Sequence, residues 1–227
     1  MDMVICRDVV KTYQQGRISV PALRGISLSI EKGEFAALAG PSGSGKTTIL
    51  NLMGGLDAPD AGEIIVDGRH FDRMSAAGLA ELRLHRIGFV FQAYNLIPVL
   101  SALENVEYVM LLQGVPARDR RERARAVLDE VGLSGMYDRR PPELSGGQQQ
   151  RVAVARAIAA EPSIVLADEP TANLDSKNGI SLLEIMKEMN EKKEVTFIFS
   201  THDERVMEYA RRLVMIRDGR VADDVRK

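Results

Sequence analysis

Gly40-Pro41-Ser42-Gly43-Ser44-Gly45-Lys46-Thr47, followed by Thr48, is the stretch whose reading decides the fold. It matches G-x-x-x-x-G-K-[ST], a loop whose glycines let successive backbone N–H groups curl around phosphate oxygens. In this pattern Lys46 neutralises the β/γ charge and the Thr47 hydroxyl can ligate Mg²⁺. The context fits. Phe35 to Ala39 is a continuous apolar run, as expected of a buried central strand, and Thr48 to Met53 reads as the helix that follows. The loop alone says only that the chain binds a nucleoside triphosphate.

Working outward, residues 3–35 read as strands broken by turns at Gln14-Gln15-Gly16 and Lys32-Gly33-Glu34. Val4-Ile5-Cys6, Val9-Val10 and the alternating Val20 to Ile30 carry the strand pattern, and Glu63 to Val66 adds another before an Asp-Gly turn. Residues 76–86 look helical, and Ile87 to Phe91 is a strand. The character then changes. Ala102 to Leu112, Ala117 to Val131 and Gln148 to Ala160 are helical candidates. Strands return at Ile164 to Ala167, Val195 to Phe199, Leu213 to Ile216 and Arg220-Val221, with helices near 178–191 and 204–210. The expected architecture is α/β: a parallel-sheet core, an N-terminal antiparallel β subdomain and an inserted helical subdomain. The division is residues 1–92 and 161–227 for the core with its β subdomain, and 93–160 for the insert.

Composition sets bounds. With 227 residues, 45% hydrophobic and 27% charged, the chain suits one sizeable α/β domain. Thirty basic against 32 acidic residues leave −2, which argues against nucleic acid as a partner. The lone Cys6 is expected as a half-buried strand residue. Met1 to Asp8 lacks the basic start and long apolar run of a signal peptide. The apolar runs are strand-sized, well short of the ~20 residues that span a bilayer.

Four residues at strand ends carry candidate chemistry. Asp168 follows Ile164-Val165-Leu166-Ala167, at the sheet edge where ligands bind in open α/β folds. A carboxylate there can hold Mg²⁺ opposite Thr47. Glu169 is placed to polarise a water as general base; the plain alternative is a solvated Asp-Glu pair. Gln92, after another strand, can reach the metal or the attacking water without adding charge. His202, in Ser200-Thr201-His202-Asp203, can donate to a γ-phosphate. His70 and His85 read as surface residues. Tyr13, 27 positions before Gly40, can stack on a base or sit in the core.

A second short segment, Leu144-Ser145-Gly146-Gly147-Gln148, lies about a hundred residues beyond the loop. Its small residues open a helix, so free N–H groups and the positive end of the dipole make an anion site. With this motif the chain resembles the ATP-binding cassette (ABC) family over about residues 3–221. The resemblance implies ATP and Mg²⁺ as cofactors, with Tyr13, Gly40 to Thr48, Ser145 to Gln148 and Asp175 at the nucleotide. It places Thr47, Gln92 and Asp168 at the metal, and Glu169, His202 and Gln92 in catalysis. It also implies that Ser145 to Gly147 cap the γ-phosphate held by a second copy of the chain, in an ATP-sandwich homodimer.

Phe89-Val90-Phe91-Gln92-Ala93-Tyr94-Asn95-Leu96-Ile97-Pro98, with Leu100 to Val106, Leu144 to Arg151 and Asp175-Ser176-Lys177, resembles the LolD/MacB branch. That branch implies a cytoplasmic ATPase, peripheral on the inner face of the membrane, driving an integral-membrane permease of the FtsX/MacB type. The apolar Leu96 to Leu100 loop would meet the permease, or else pack internally. An FtsE-like regulator that moves no cargo is the alternative. A GTPase is disfavoured by the lack of Asn-Lys-x-Asp. Chromosome ATPases are disfavoured because Lys46 and Asp168 lie only 122 positions apart. Five arginines between Arg118 and Arg125 are expected on the solvated face of a helix, with Ala124, Val127 and Leu128 inward.

Overall fold

The computed structural model describes residues 1–16 and 18–227. The long strands β1 (Asp2–Gln15) and β2 (Ile18–Glu31) pair antiparallel, and β1 also pairs with β4 (Ala61–Val66). As the strand pattern up to the Gln14-Gln15-Gly16 turn predicts, β1 runs unbroken, and a bulge at Asp8 (φ 47°) absorbs the change of register between Cys6 and Val9. The short β5 (Arg69–His70) completes a four-stranded sheet in the order β2-β1-β4-β5.

The second sheet decides the site. It is built on β3 (Phe35–Ala39), β6 (Ile87–Val90), β7 (Ile164–Asp168), β8 (Thr196–Thr201), β9 (Arg212–Arg217) and β10 (Arg220–Arg226). Their order is β10-β9-β3-β8-β7-β6; all are parallel except β10, which returns antiparallel on β9. Side chains alternate between two layers, the period-two consequence of the pleat. Phe35, Ala37, Phe197, Phe199 and Val165 face one core, whereas Ala36, Leu38, Ile198 and Leu166 face the other. The Phe35 ring lies 4.6 Å from that of Phe199 and 5.6 Å from that of Phe197. Burying each such ring is worth about 2–3 kcal/mol.

Helix α1 (Lys46–Met53) packs on the second layer with the β1–β2–β4 sheet, and α2 (Ala76–Arg86) leads into β6. The other layer takes α3 (Ala102–Leu112), α4 (Ala117–Glu130), α5 (Gly146–Ala159) and α6 (Ser176–Lys193); the short α7 (Glu204–Tyr209) follows β8. On α4 the apolar side is buried, and Arg118, Arg121 and Arg125 are exposed. Two helix starts differ from expectation. Helix α5 begins at Gly146 rather than Gln148, because Ser145 is its N-cap, and α6 begins at Ser176 because Asp175 caps it.

Two surface readings change. His70 is half-buried, its Nδ1 2.7 Å from Glu63 Oε1, whereas His85 is exposed beside Glu81. Cys6 is fully buried rather than half-buried, and burial pushes its thiol up to about 12. The folded chain is therefore expected to leave Cys6 unlabelled by a maleimide at neutral pH and to label it on denaturation. Equal labelling rates in both states would contradict this burial.

Candidate active site

The strand register assembles the site. Ala39 lies opposite Thr201, Asp168 opposite Ser200, and Val90 opposite Ala167. The residues that leave those strand ends, Gly40, Glu169, His202 and the segment to Gln92, therefore emerge along one carboxyl edge. Gly40 has no substitute: φ is 150°, and a Cβ there would come within 2.1 Å of the Ile216 carbonyl oxygen.

Beyond Gly40 the chain turns into α1 through Gly45 (φ 105°), which offers no side-chain cap, and the first turn of α1 holds no acidic residue. The first N–H groups and the positive end of the helix dipole are thus left for an anion. Lys46 is buried, and its Nζ donates to the carbonyls of Gly40 (2.8 Å) and Pro41 (2.9 Å), which holds the loop curled. The Ser44 hydroxyl is buried with no hydrogen-bond partner among the described residues. An orphaned hydroxyl beside a buried ammonium and an uncapped helix fits a phosphate group.

Thr47 Oγ1 donates to Asp168 Oδ1 at 3.0 Å, and the same oxygen accepts from Ser200 Oγ at 2.7 Å. Gln92 is exposed just beyond β6, its carbonyl accepting from Asn173 Nδ2 at 2.9 Å. Hydroxyl, carboxylate and amide oxygens are the hard donors Mg²⁺ prefers, so this set fits that ion. Glu169 has a left-handed backbone (φ 47°), a conformation that costs about 1–2 kcal/mol. Its Oε1 lies 2.7 Å from His202 Nδ1, and its Oε2 is buried without a partner among the described residues.

These groups line one cleft of about 370 Å³: Ser42, Gly43 and Gly45 to Thr48 on one side, Gln92, Glu169 and His202 on the other. Val20, Pro21 and Ala22 of β2 close its rim. Sequence reading missed these three, since nothing in an alternating strand marks the residues a sheet twist will bring to a distant loop. Tyr13 stands outside the lining. It is partly exposed, its hydroxyl donates to Asp57 Oδ2 (2.9 Å), and Lys11 Nζ lies 5.3 Å from the ring centroid. Burial pushes the Tyr13 phenol up, and its bond to Asp57 adds to this.

The second motif lies apart. Neither Ser145, Gly146, Gly147 nor Gln148 lines the cleft that holds Lys46. Ser145 and Gln148 instead form a reciprocal capping box: Ser145 Oγ accepts from the Gln148 N–H (3.3 Å), and Gln148 Oε1 from the Ser145 N–H (2.9 Å). Asp175 is likewise outside the cleft, engaged with the N–H (3.0 Å) and side-chain amide (2.6 Å) of Asn178. The bond from the Asn178 backbone N–H holds its carboxyl below the usual range.

A curled loop after the central parallel strand β3, with a carboxylate pair at the end of β7 across the intervening β8 on the same edge, defines a nucleoside triphosphatase. The chain belongs to the ABC transporter family, whose model matches residues 23–172, and it is an ABC ATPase of the LolD/MacB type. It is 48% identical to an uncharacterized ABC transporter ATP-binding protein of Thermotoga maritima, covering 94% of this chain and 91% of that one. Identity is 46% to the lipoprotein-releasing system ATP-binding protein LolD of Saccharophagus degradans, over 88% of both chains. It is 48% to the macrolide export ATP-binding/permease protein MacB of Syntrophobacter fumaroxidans, where 96% of this chain spans 31% of that longer protein. Among solved structures, the ATP-binding cassette MJ0796 of Methanocaldococcus jannaschii, as a post-hydrolysis dimer bound to ADP and Pi, superposes with a TM-score of 0.92. That match is 42% identical and covers 99% of this chain and 98% of that one.

Proposed function

We propose that two copies of this chain close head to tail on two ATP molecules and drive a membrane permease of the MacB/FtsX type. The observation that carries this reading is the division of the site. Each cleft holds the phosphate loop, Glu169 and His202, while none of Ser145 to Gly147 at the helix start lines it. A two-fold pair places each helix start over the other copy's nucleotide. The dimer in the MJ0796 structure supports the arrangement.

Within each cleft Lys46 and the N–H groups of Gly43 to Thr47 hold the phosphates, and Tyr13 serves the base. Thr47, Asp168 and Gln92 would hold Mg²⁺, which supplies charge neutralisation on the phosphate oxygens when bound. The Glu169 carboxylate takes a proton from the attacking water, and His202, held by Glu169 Oε1, steadies the γ-phosphate. Asp175 lies near the entry to the same interface. In this reading residues 1–92 and 161–227 form the ATPase core, and residues 93–160 form the helical subdomain that meets the permease.

The loop before α3 is built for such a contact. Asn105 is fully buried and holds the loop open: its Oδ1 accepts from the Ile97 N–H, and its Nδ2 lies within bonding distance of the carbonyls of Ile97, Leu100 and Ser101. Leu96 packs inward, while Pro98 and Val99 point out, Val99 at 69% exposure. The loop is therefore divided between the core and a free apolar tip. Among the described residues no helix is long and apolar enough to cross a membrane, so membrane association falls to a partner.

The test is affinity capture of the Glu169→Gln chain with ATP from native membranes. A co-purifying permease with a large extracytoplasmic domain is expected, and Val99→Asp should reduce its recovery at least about tenfold while unfolding shifts by only about 0.5 kcal/mol. Recovery of soluble or nucleic-acid partners alone would overturn the permease reading.

A further inference from the structure

Arg156 lies near the end of α5, some three turns beyond the Ser145 cap, or roughly 16 Å at about 1.5 Å per residue. It is half-buried, and among the described residues none of the ion pairs involves it. Its guanidinium instead donates to two successive backbone carbonyls, Nη2 to Tyr94 (2.9 Å) and Nη1 to Asn95 (2.5 Å). Both of those residues have left-handed backbones, φ 59° and 50°, in a segment that contains no glycine. Such a conformation persists only where its surroundings impose it. Burial lowers the guanidinium's pKa, as expected of a cation offered only carbonyl dipoles.

The same short segment is held from two more directions. Asn173 Nδ2 binds the Gln92 carbonyl at 2.9 Å, tying the segment to the stretch that follows Glu169. The Tyr94 hydroxyl lies against the first residue of α5, 2.9 Å from where a Cβ on Gly146 would stand. One helix thus touches residues 92–95 at both its ends, through Gly146 at its start and Arg156 near its finish.

We propose that Arg156 is a positioning residue that locks the Gln92–Asn95 segment to α5 and thereby fixes Gln92 at the edge of the cleft it lines. The fork geometry of the guanidinium suits this task, because it spans two adjacent carbonyls that a single ammonium cannot hold together. This inference rests on the role given to Gln92 above.

The experiment compares Arg156→Met, Arg156→Lys and Gln92→Ala. The readouts are steady-state ATP hydrolysis, nucleotide binding by the isolated chain, and hydrogen exchange of the backbone amides. For Arg156→Met, kcat is expected to fall about tenfold to a hundredfold, with the ATP KM within about twofold, since a misplaced group loses rate rather than binding. Amides 93–96 should exchange at least about tenfold faster, while those of α5 keep their protection. Arg156→Lys, which retains the charge but not the fork, is expected between Arg156→Met and the parent in both readouts. It also serves as the decisive variant if the methionine chain does not fold. Parent-like kcat and exchange at 93–96 would overturn the proposal. So would faster exchange throughout α5 together with lost nucleotide binding, which would mark Arg156 as merely structural. Gln92→Ala separates the two readings. An unchanged kcat in that variant alone would refute the role of Gln92, while exchange in Arg156→Met still reports whether the lock exists.

Discussion

Replacing Glu169 with glutamine is expected to lower ATP hydrolysis by about 10²- to 10⁴-fold, the usual contribution of a positioned general base. ATP binding should survive. The substitution is isosteric, and the groups that hold the phosphates, Lys46 with the uncapped start of α1, do not include this carboxylate. The size of the effect follows from geometry. Glu169 adopts its left-handed backbone immediately after β7, anchored by its own N–H to the Ser200 carbonyl at 2.9 Å, and this turns its side chain into the cleft. One oxygen is occupied by His202, and the other is buried without a hydrogen-bond partner among the described residues, so the carboxylate has accepting capacity left to use. A glutamine amide can still meet His202, but it cannot accept a proton from the attacking water. With hydrolysis blocked, the closed pair has no route to open, so the variant should elute as a dimer when ATP is present. Single-turnover hydrolysis and gel filtration with and without ATP measure both parts. Near-parental turnover would remove Glu169 from the base role.

Ser145→Arg is expected to abolish hydrolysis while leaving nucleotide binding by the isolated chain intact. Two effects of the change must be separated. Ser145 is the N-cap of α5, and loss of its hydroxyl alone costs about 1 kcal/mol of helix stability. Ser145→Ala isolates that cost and should keep most of its turnover. The arginine adds bulk at an exposed position that lies outside the chain's own cleft, so it blocks only an approaching second copy. Isothermal titration with a non-hydrolysable ATP analogue, beside a turnover assay, reads the two properties independently. Loss of nucleotide binding in the arginine variant would end the proposal that this motif acts on the other copy's nucleotide.

Much of this was legible before any coordinates. The loop from Gly40 to Thr47 was visible because its chemistry is local: glycines where φ is positive or space is short, then a lysine and a hydroxyl at the first helical positions. The parallel strands were visible because strands buried on both faces are continuously apolar. Boundaries were less secure where a side chain, rather than hydrophobic periodicity, decides the end of an element. The reading that started α5 at Gln148 passed over a glycine pair that breaks helices elsewhere but is admitted here by the cap on Ser145.

Residues joined by long-range contact lay outside the reach of a sequence pattern. Arg156 reads as one more polar residue on a helix, since its partners are carbonyls some 60 positions earlier, which have no sequence identity to recognise. Val20, Pro21 and Ala22 reach the cleft only through the course of β2.

By itself, the sequence determined the class of fold and the ATPase family, and it named the candidate groups for phosphate binding and hydrolysis, because each of these readings depends on residue type and near neighbours along the chain. Only the tertiary structure decided which of those groups meet. Strand register sets Gly40, Glu169, His202 and Gln92 along one edge, and packing leaves Ser145, the cap of α5, outside the cleft lining. The physical reason is that register and packing arise from contacts between segments 32 to 162 residues apart in the chain, which no local pattern encodes.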